Sequence, residues 1–261
     1  MAPSIKYIQL IQIIFKTGDD LRQDQLVVQI ITLMDILLRK ENLDMKLTPY
    51  KVLATGLDNG MIQFVPSVPI AHVIQDYVTL AEYLKLPDGT VPPISVDNYI
   101  RSTAGYCILT YLLGIGDRHL DNILLTKTGH LFHIDFSFIL GRDPKPFPPP
   151  MKLCNEMVDM LGGMTSPEFS HFKSLCFICF NSLRKSANLY LNLFALMTNA
   201  NIPDISCEPD KAVRIVQDRF RLDLNDEEAI QFLHTVIVES IQAFFPQVLE
   251  QIRKVTQLLR S

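Results

Sequence analysis

The chain has 261 residues, 48% of them hydrophobic and 20% charged, with a formal net charge of −4. That length buries a substantial core as one bilobed domain or two small ones, while the acidic balance excludes a broad basic footprint and with it a nucleic-acid partner. Five cysteines, an odd number without a secretory framework, point to reduced thiols in a cytosolic setting, and no apolar run approaches membrane-spanning length.

In chain order, residues 5–15 predict a strand that ends with Lys16, followed by an acidic turn at Asp19 and Asp20. A helix is predicted over residues 21–39, where Leu26, Ile30, Leu33 and Leu37 share a face and the two aspartates suit its N-terminus. Residues 51–55 and 61–65 flank Asp58-Asn59-Gly60 and read as a hairpin. Residues 87–93 read as a linker before a helix over 96–113, which Gly114 and Gly116 stop. From Met151 onward the pattern is mostly helical, with stops at Gly162-Gly163, Asn201-Ile202-Pro203 and Asn225-Asp226. Cys176 and Cys179 form a C-x-x-C in an apolar helical stretch with no second ligand pair, so buried thiols are expected there rather than zinc. The last helix, residues 226–260, places Leu249, Ile252, Val255 and Leu259 on a stripe bordered by Arg253, Lys254 and Arg260. Such a stripe suits a bilayer surface or the lobe itself.

Residues 116–136, G-D-R-H-L-D-N-I-L-L-T-K-T-G-H-L-F-H-I-D-F, carry the chemistry. Ile123 to Leu125 is a short apolar run, residues 126–129 supply a turn, and residues 131–136 alternate at period two, which predicts a second hairpin. Asn122 and Asp135 flank it almost symmetrically, so antiparallel pairing is expected to bring them together. A carboxylate beside an amide oxygen suits Mg²⁺, which keeps places for water and nucleotide phosphates. Just upstream, Asp117, Arg118 and His119 offer an acid, a cation and a titratable base. Alone, an Asp-Arg-His triplet is more often a solvated loop; the joint order and spacing argue for a phosphoryl-transfer site.

The pattern G-D-R-H-x-x-N followed by H-I-D-F resembles the catalytic and metal-binding loops of the phosphatidylinositol 3- and 4-kinase superfamily, which also includes large related protein kinases. The residues F-K-T-G at 15–18, D-D-L-R-Q-D at 19–24, L-T-P-Y at 47–50, G-R-D-P-K-P-F-P-P-P-M-K-L at 141–153 and F-R-L-D-L at 220–224 narrow the resemblance to the class III phosphatidylinositol 3-kinases of vacuolar-sorting type. It extends from about residue 14 to the end.

The resemblance implies an α+β, bilobed protein-kinase-like fold, with a small β-rich N-lobe in residues 1–65 and a larger, mainly helical C-lobe in residues 66–261. It implies ATP as cofactor with Mg or Mn, the metal held by Asn122 and Asp135. Lys16 would meet the α- and β-phosphates, although a surface lysine is the plain reading of its strand position. Asp24 and Tyr50 would pair at the back of the nucleotide pocket, the backbone of Gln63, Phe64 and Val65 would meet adenine, and Leu124 and Ile134 would line the pocket. His119 would accept the proton of an inositol hydroxyl, with Asp117 orienting it and Arg118 beside it. Arg142, Lys145 and Lys152 are the only bases between Phe136 and Leu153. Such sparse charge suits unphosphorylated phosphatidylinositol and a phosphatidylinositol 3-phosphate product.

The implied setting is endosomal trafficking and autophagy, peripheral on endosomal, autophagosomal or vacuolar membranes. The implied partners are a regulatory kinase-like subunit and coiled-coil autophagy or endosomal subunits. Two departures stand out. Ser137 occupies the place of the glycine that ends the family's metal motif, and the ten or so residues upstream of the Lys16 strand are too few for the strands that cover the phosphates, so the first N-lobe strands are expected to be lacking. A catalytically silent membrane or scaffold module and a protein kinase of the same superfamily are the competing readings.

Overall fold

The structure is a computed structural model describing residues 11–206 and 209–243. In chain order its elements are β1 (Ile13–Thr17), α1 (Arg22–Lys40), β2 (Val52–Ala54), β3 (Asn59–Gln63), β4 (Val68–Pro69), α2 (Ile70–Tyr77), α3 (Leu80–Leu84), α4 (Pro93–Leu113), β5 (Ile123–Leu125), β6 (Leu131–His133), α5 (Asn155–Met160), α6 (Pro167–Arg184), α7 (Ala187–Met197), α8 (Pro203–Ser206), α9 (Pro209–Phe220) and α10 (Asp226–Gln242). The architecture is α+β, as expected: two small antiparallel sheets and a mainly helical remainder. One sheet has the order β1-β3-β2 and the other β4-β5-β6.

The core is organised by α4. Its residues from Tyr99 to Leu113 are apolar or small on nearly every side, and all but Arg101 are buried, as befits a helix enclosed by other elements. It packs against α6 and β6. Leu109 and Leu112 are fully enclosed, and truncating either to alanine costs about 2–5 kcal/mol. Gly114, left-handed at φ 58°, caps the helix and turns the chain toward the site. At the other end of the chain, Asn225 caps α10 in a capping box with Glu228.

Several boundaries differ from the pattern reading. The first strand begins at Ile13 and runs one residue past Lys16, to Thr17; residues 1–10 lie outside the described residues. In the first hairpin Asn59 and Gly60 belong to β3 instead of the turn. The Asn59 carbonyl accepts the N–H groups of Thr55 and Gly56, at 3.1 and 3.2 Å, which moves the reversal to residues 55–58. The helices α2 and α3, eight and five residues long, escape periodicity because they span barely two turns. The described part of the last helix ends at Gln242, and its predicted stripe from Leu249 to Leu259 lies outside the described residues. Cys107, Cys154, Cys176 and Cys179 are buried free thiols, the middle of α6 supplying the C-x-x-C. Among the described residues no helix is long and apolar enough to cross a membrane.

Candidate active site

Beyond α4 the chain is fastened to the segment that follows Asp135. Leu140 N–H donates to the Leu113 carbonyl at 2.9 Å, Gly141 N–H to Gly114 at 2.8 Å, and Gly116 N–H to Phe138 at 2.9 Å. The two strands run so close that a Cβ on Gly116 would stand 2.0 Å from the Arg142 carbonyl oxygen. Asp117 then takes a left-handed conformation, φ 51°, and its N–H donates to Asp143 Oδ2 at 2.7 Å.

Arg118 ties this loop to the metal motif. Its Nε donates to the Gly116 carbonyl and one terminal nitrogen to the Ile134 carbonyl, both at 2.8 Å, while the other reaches the Asp135 carbonyl. The guanidinium also lies 5.7 Å from the Phe136 ring centre. Burial lowers its pKa, and the nearby charges of Asp135 and Asp117 oppose that shift.

The second hairpin forms, with Ile123 opposite His133, and the Asn122 carbonyl accepts Ile134 N–H at 3.1 Å. Asn122 therefore stands opposite Ile134, and Asp135 lies one residue beyond, so the ladder alone does not pair the two side chains as expected. In an extended strand that offset would send them to opposite faces. The backbone leaves the extended region at this point, with Asp135 at φ 60°, and Arg118 holds the carbonyls on either side of the change. Asn122 is buried, and its Nδ2 donates to the Asp117 carbonyl at 3.2 Å, which fixes the sense of the amide.

The Asp135 carboxylate is held ionised. Burial pushes its pKa up, but hydrogen bonds from Ser137 and the charges of Lys16 and Arg118 outweigh that and leave it lowered. Its Oδ1 accepts both donors of Ser137, whereas Oδ2 has no hydrogen-bond partner among the described residues. Asp135 thus offers one ionised oxygen and Asn122 its amide oxygen, a sparse donor set of the kind that could serve an ion completed by nucleotide and water. Among the described residues no group of three or more His, Cys, Asp or Glu side chains that could hold a metal ion occurs.

His119 sits half-open between two carboxylates. Its Nε2 is 3.9 Å from Asp117 Oδ2 and its Nδ1 3.5 Å from Asp121 Oδ2, and neither nitrogen makes a hydrogen bond among the described residues. An uncommitted imidazole of this kind can take a proton from a hydroxyl placed against it.

Between the two sheets opens a cavity of about 220 Å³. Lys16, Asp24, Tyr50, Gln63, Phe64, Val65, Leu124, Ile134 and Asp135 all line it. Asn122, Asp117 and His119 do not. Its walls also include Ile14, Ile62, Ser67 and Phe132, which the motif reading passed over. Register would have found most of them. Ile14 lies two residues before Lys16 and opposite Ile62, and Phe132 lies two before Ile134 and opposite Leu124. Lys16 forms an ion pair with Asp19. Burial alone would lower its pKa; the hydrogen bond to Asp19 and the carboxylates of Asp19, Asp135 and Asp24 leave it raised.

The start of α1 grips the metal motif from behind. Asp24 Oδ1 accepts Phe136 N–H at 2.9 Å, and Gln23 Nε2 donates to the Phe136 carbonyl at 2.9 Å. Burial drives the Asp24 pKa up to about 6, against the lowering effect of that hydrogen bond. Tyr50 is buried beside the Phe132 ring, with centroids 6.0 Å apart, and its phenol pKa is raised by burial and by the Asp24 charge.

A second cavity, about 140 Å³, lies against Gly114, Ile115, Gly116 and Arg118. Arg118, Arg142, Lys145 and Lys152 line it, together with Pro148 to Met151 and Arg219. Arg142 is ion-paired with Asp204, burial lowers the Lys152 pKa, and Arg219 donates to the Tyr111 carbonyl at 2.6 Å from beneath. Arg219 carried no local sequence signal, being separated from the site by some eighty residues and brought there by α9.

The phosphatidylinositol 3- and 4-kinase family matches residues 10–90 and 77–207. The chain is 54% identical over 255 residues to phosphatidylinositol 3-kinase VPS34 of Arabidopsis thaliana and 55% identical over 255 residues to the root isoform of phosphatidylinositol 3-kinase from Glycine max. Each alignment takes in 95% of this chain and 31% of the relative. It is 48% identical to phosphatidylinositol 3-kinase VPS34 of Saccharomyces cerevisiae, across 95% of this chain and 29% of that protein. The chain thus spans under a third of the length of these relatives.

Proposed function

This chain belongs to the phosphatidylinositol 3- and 4-kinase family, and from that premise we propose that it transfers the γ-phosphoryl group of ATP to the 3-hydroxyl of phosphatidylinositol. One observation carries the reading: Arg118 lines the cationic cavity and at the same time holds the carbonyls of Ile134 and Asp135, two residues that line the apolar cavity. A nucleotide site and an anion site therefore share a wall at the metal motif.

In this reading the N-lobe runs to about residue 65 and the C-lobe follows. The apolar walls take adenine, with the backbone of Gln63 to Val65 as its hydrogen-bonding edge and Leu124 and Ile134 against its face. Lys16 exchanges Asp19 for the phosphates. Asn122 and Asp135 would hold the divalent ion, Mg or Mn, whose charge would offset that of the phosphates as the γ-phosphoryl group leaves ATP for the hydroxyl. His119 accepts the hydroxyl proton while Asp117 orients the ring, and Lys145 and Lys152 meet the head-group phosphate. Because the transition state is loose, positioning counts for more than deprotonation.

The resemblance extends this to phosphatidylinositol 3-phosphate made at endosomal, autophagosomal or vacuolar membranes, with the regulatory and coiled-coil subunits of a class III complex as partners. The hydrogen bonds from Ser137 to Asp135 favour a second reading, a silent module that keeps the fold. Incubation with radiolabelled ATP, Mg²⁺ and phosphatidylinositol vesicles tests both. Labelled phosphatidylinositol 3-phosphate is expected; nucleotide binding without lipid labelling refutes the kinase reading in favour of the silent one.

A further inference from the structure

Asp204, on the short helix α8, lies 62 residues beyond Arg142 in sequence and is held against it. Its side chain is only 6% exposed, whereas that of Arg142 is 53% exposed and lines the cationic cavity. One carboxylate oxygen takes the Arg142 guanidinium. The other accepts Ile139 N–H at 2.9 Å and Gln23 Nε2 at 3.3 Å, while Asp204's own N–H donates to Gln23 Oε1 at 3.0 Å. The carboxylate is thus pinned from three sides and cannot leave when a ligand arrives.

Gln23, in turn, holds the Phe136 carbonyl. The same network that fixes the metal motif fixes a negative charge at the cavity wall. Of the bases lining that cavity, Arg118 and Arg219 direct guanidinium nitrogens to backbone carbonyls. The segment after the metal motif therefore brings the charges of Arg142, Lys145 and Lys152 to the cavity, less those of its own Asp143 and of Asp204 held against Arg142.

We infer that Asp204 is a specificity-determining residue: by cancelling the Arg142 charge it tunes the cavity to a singly charged inositol phospholipid and against a head group carrying further phosphates. This rests on the proposed lipid-kinase reading. Each added phosphate must be paired when water is displaced, and one net charge in the wall of a partly screened site is worth on the order of ten-fold in the affinity of a multiply phosphorylated head group.

The test compares phosphatidylinositol with its bisphosphate, both as vesicle co-sedimentation and as turnover. Asp204→Asn retains an acceptor for Ile139 N–H and removes the charge; it is expected to raise the bisphosphate-to-phosphatidylinositol ratio on the order of ten-fold at low salt, and less as salt screens the site. Asp204→Asn combined with Arg142→Gln is expected to restore the original ratio. Arg142→Gln alone leaves the Asp204 charge unopposed and lowers it, which keeps the inference testable should Asp204→Asn fold poorly. An unchanged ratio in Asp204→Asn, or an equal rise in the double variant, overturns the inference. The sedimentation ratio needs no phosphoryl transfer, so absence of lipid labelling by the unsubstituted chain counts against the kinase reading and not against this one.

Discussion

Ser137 Oγ donates to Asp135 Oδ1 at 2.6 Å, and Ser137 N–H reaches the same oxygen at 3.3 Å. A glycine there would offer the backbone donor alone. The hydroxyl takes up a lone pair that a cation would otherwise use, and a hydrogen bond to an ionised group is worth about 1.5–3 kcal/mol. Ser137→Gly is therefore expected to tighten Mg²⁺-dependent nucleotide binding by roughly ten-fold or somewhat less, since part of that energy is regained from water. Titration with a fluorescent ATP analogue at fixed Mg²⁺ measures it; weaker binding in the variant would mean that the hydroxyl orients the carboxylate for the metal.

His119→Ala separates chemistry from binding. The imidazole stands outside the nucleotide cavity, between Asp117 and Asp121, so its removal leaves the walls of that cavity intact. Lipid phosphorylation is expected to fall by at least 10²-fold, the usual contribution of a positioned base, with nucleotide affinity unchanged. Equal losses of both would reject His119 as the base.

What the sequence displays here is spacing, and spacing is enough for whatever lies within one hairpin or one helix. The second hairpin, α4 with its glycine stop and the break in the helical pattern at Asn225-Asp226 were all legible for that reason. The eight nucleotide-cavity residues were named through resemblance to a family motif; period-two alternation alone would have given Ile14 and Phe132 as readily as Lys16 and Ile134. Three features escaped because they depend on distance in sequence or on backbone angle. The one-residue offset of Asn122 and Asp135 and the left-handed backbone at Asp135 are marked by no pattern, Asp204 meets Arg142 across 62 positions, and Gln23 looks like an ordinary first-turn residue until Phe136 is placed above it.

Asp24 gives the site a pH signature. Its pKa is about 6, raised by burial from an ordinary 3.8. Between those values the folded state binds the proton and the unfolded state does not, so stability falls as pH rises through that window. Above pH 6 both states are ionised and the whole penalty is present, about 3 kcal/mol at about 1.4 kcal/mol per unit. Asp24→Asn keeps an acceptor for Phe136 N–H and removes that penalty. Urea unfolding at pH 7.5 is expected to show a stabilised variant, and its stability between pH 4 and 6 should lose the downward slope that this residue contributes. A variant less stable at pH 7.5 would show that Lys16 and the Phe136 N–H compensate the buried charge in full.

Gly116 and Gly89 put the closeness of the two catalytic segments to a direct comparison. An alanine Cβ at residue 116 would meet the Arg142 carbonyl oxygen at 2.0 Å and the Asp143 Cα at 3.1 Å, backbone atoms that move only with their whole segment. At Gly89 the same Cβ meets nothing within 4 Å, and only the positive φ of 84° opposes it, a strain of about 1–2 kcal/mol. Gly116→Ala is expected to break the bond from Gly116 N–H to the Phe138 carbonyl and push residues 138–143 away from the loop that carries Asp117 and His119. Overpacking of this kind costs about 1–3 kcal/mol, similar in size to the strain at Gly89, so global stability hardly distinguishes the two variants. Their lipid-kinase activity should: Gly116→Ala is expected to lose it and to expose residues 141–150 to proteolysis, whereas Gly89→Ala retains both. Comparable activity in the two variants would show that the paired segments can separate without disturbing the site, and that Arg118 alone holds the metal motif against the catalytic loop.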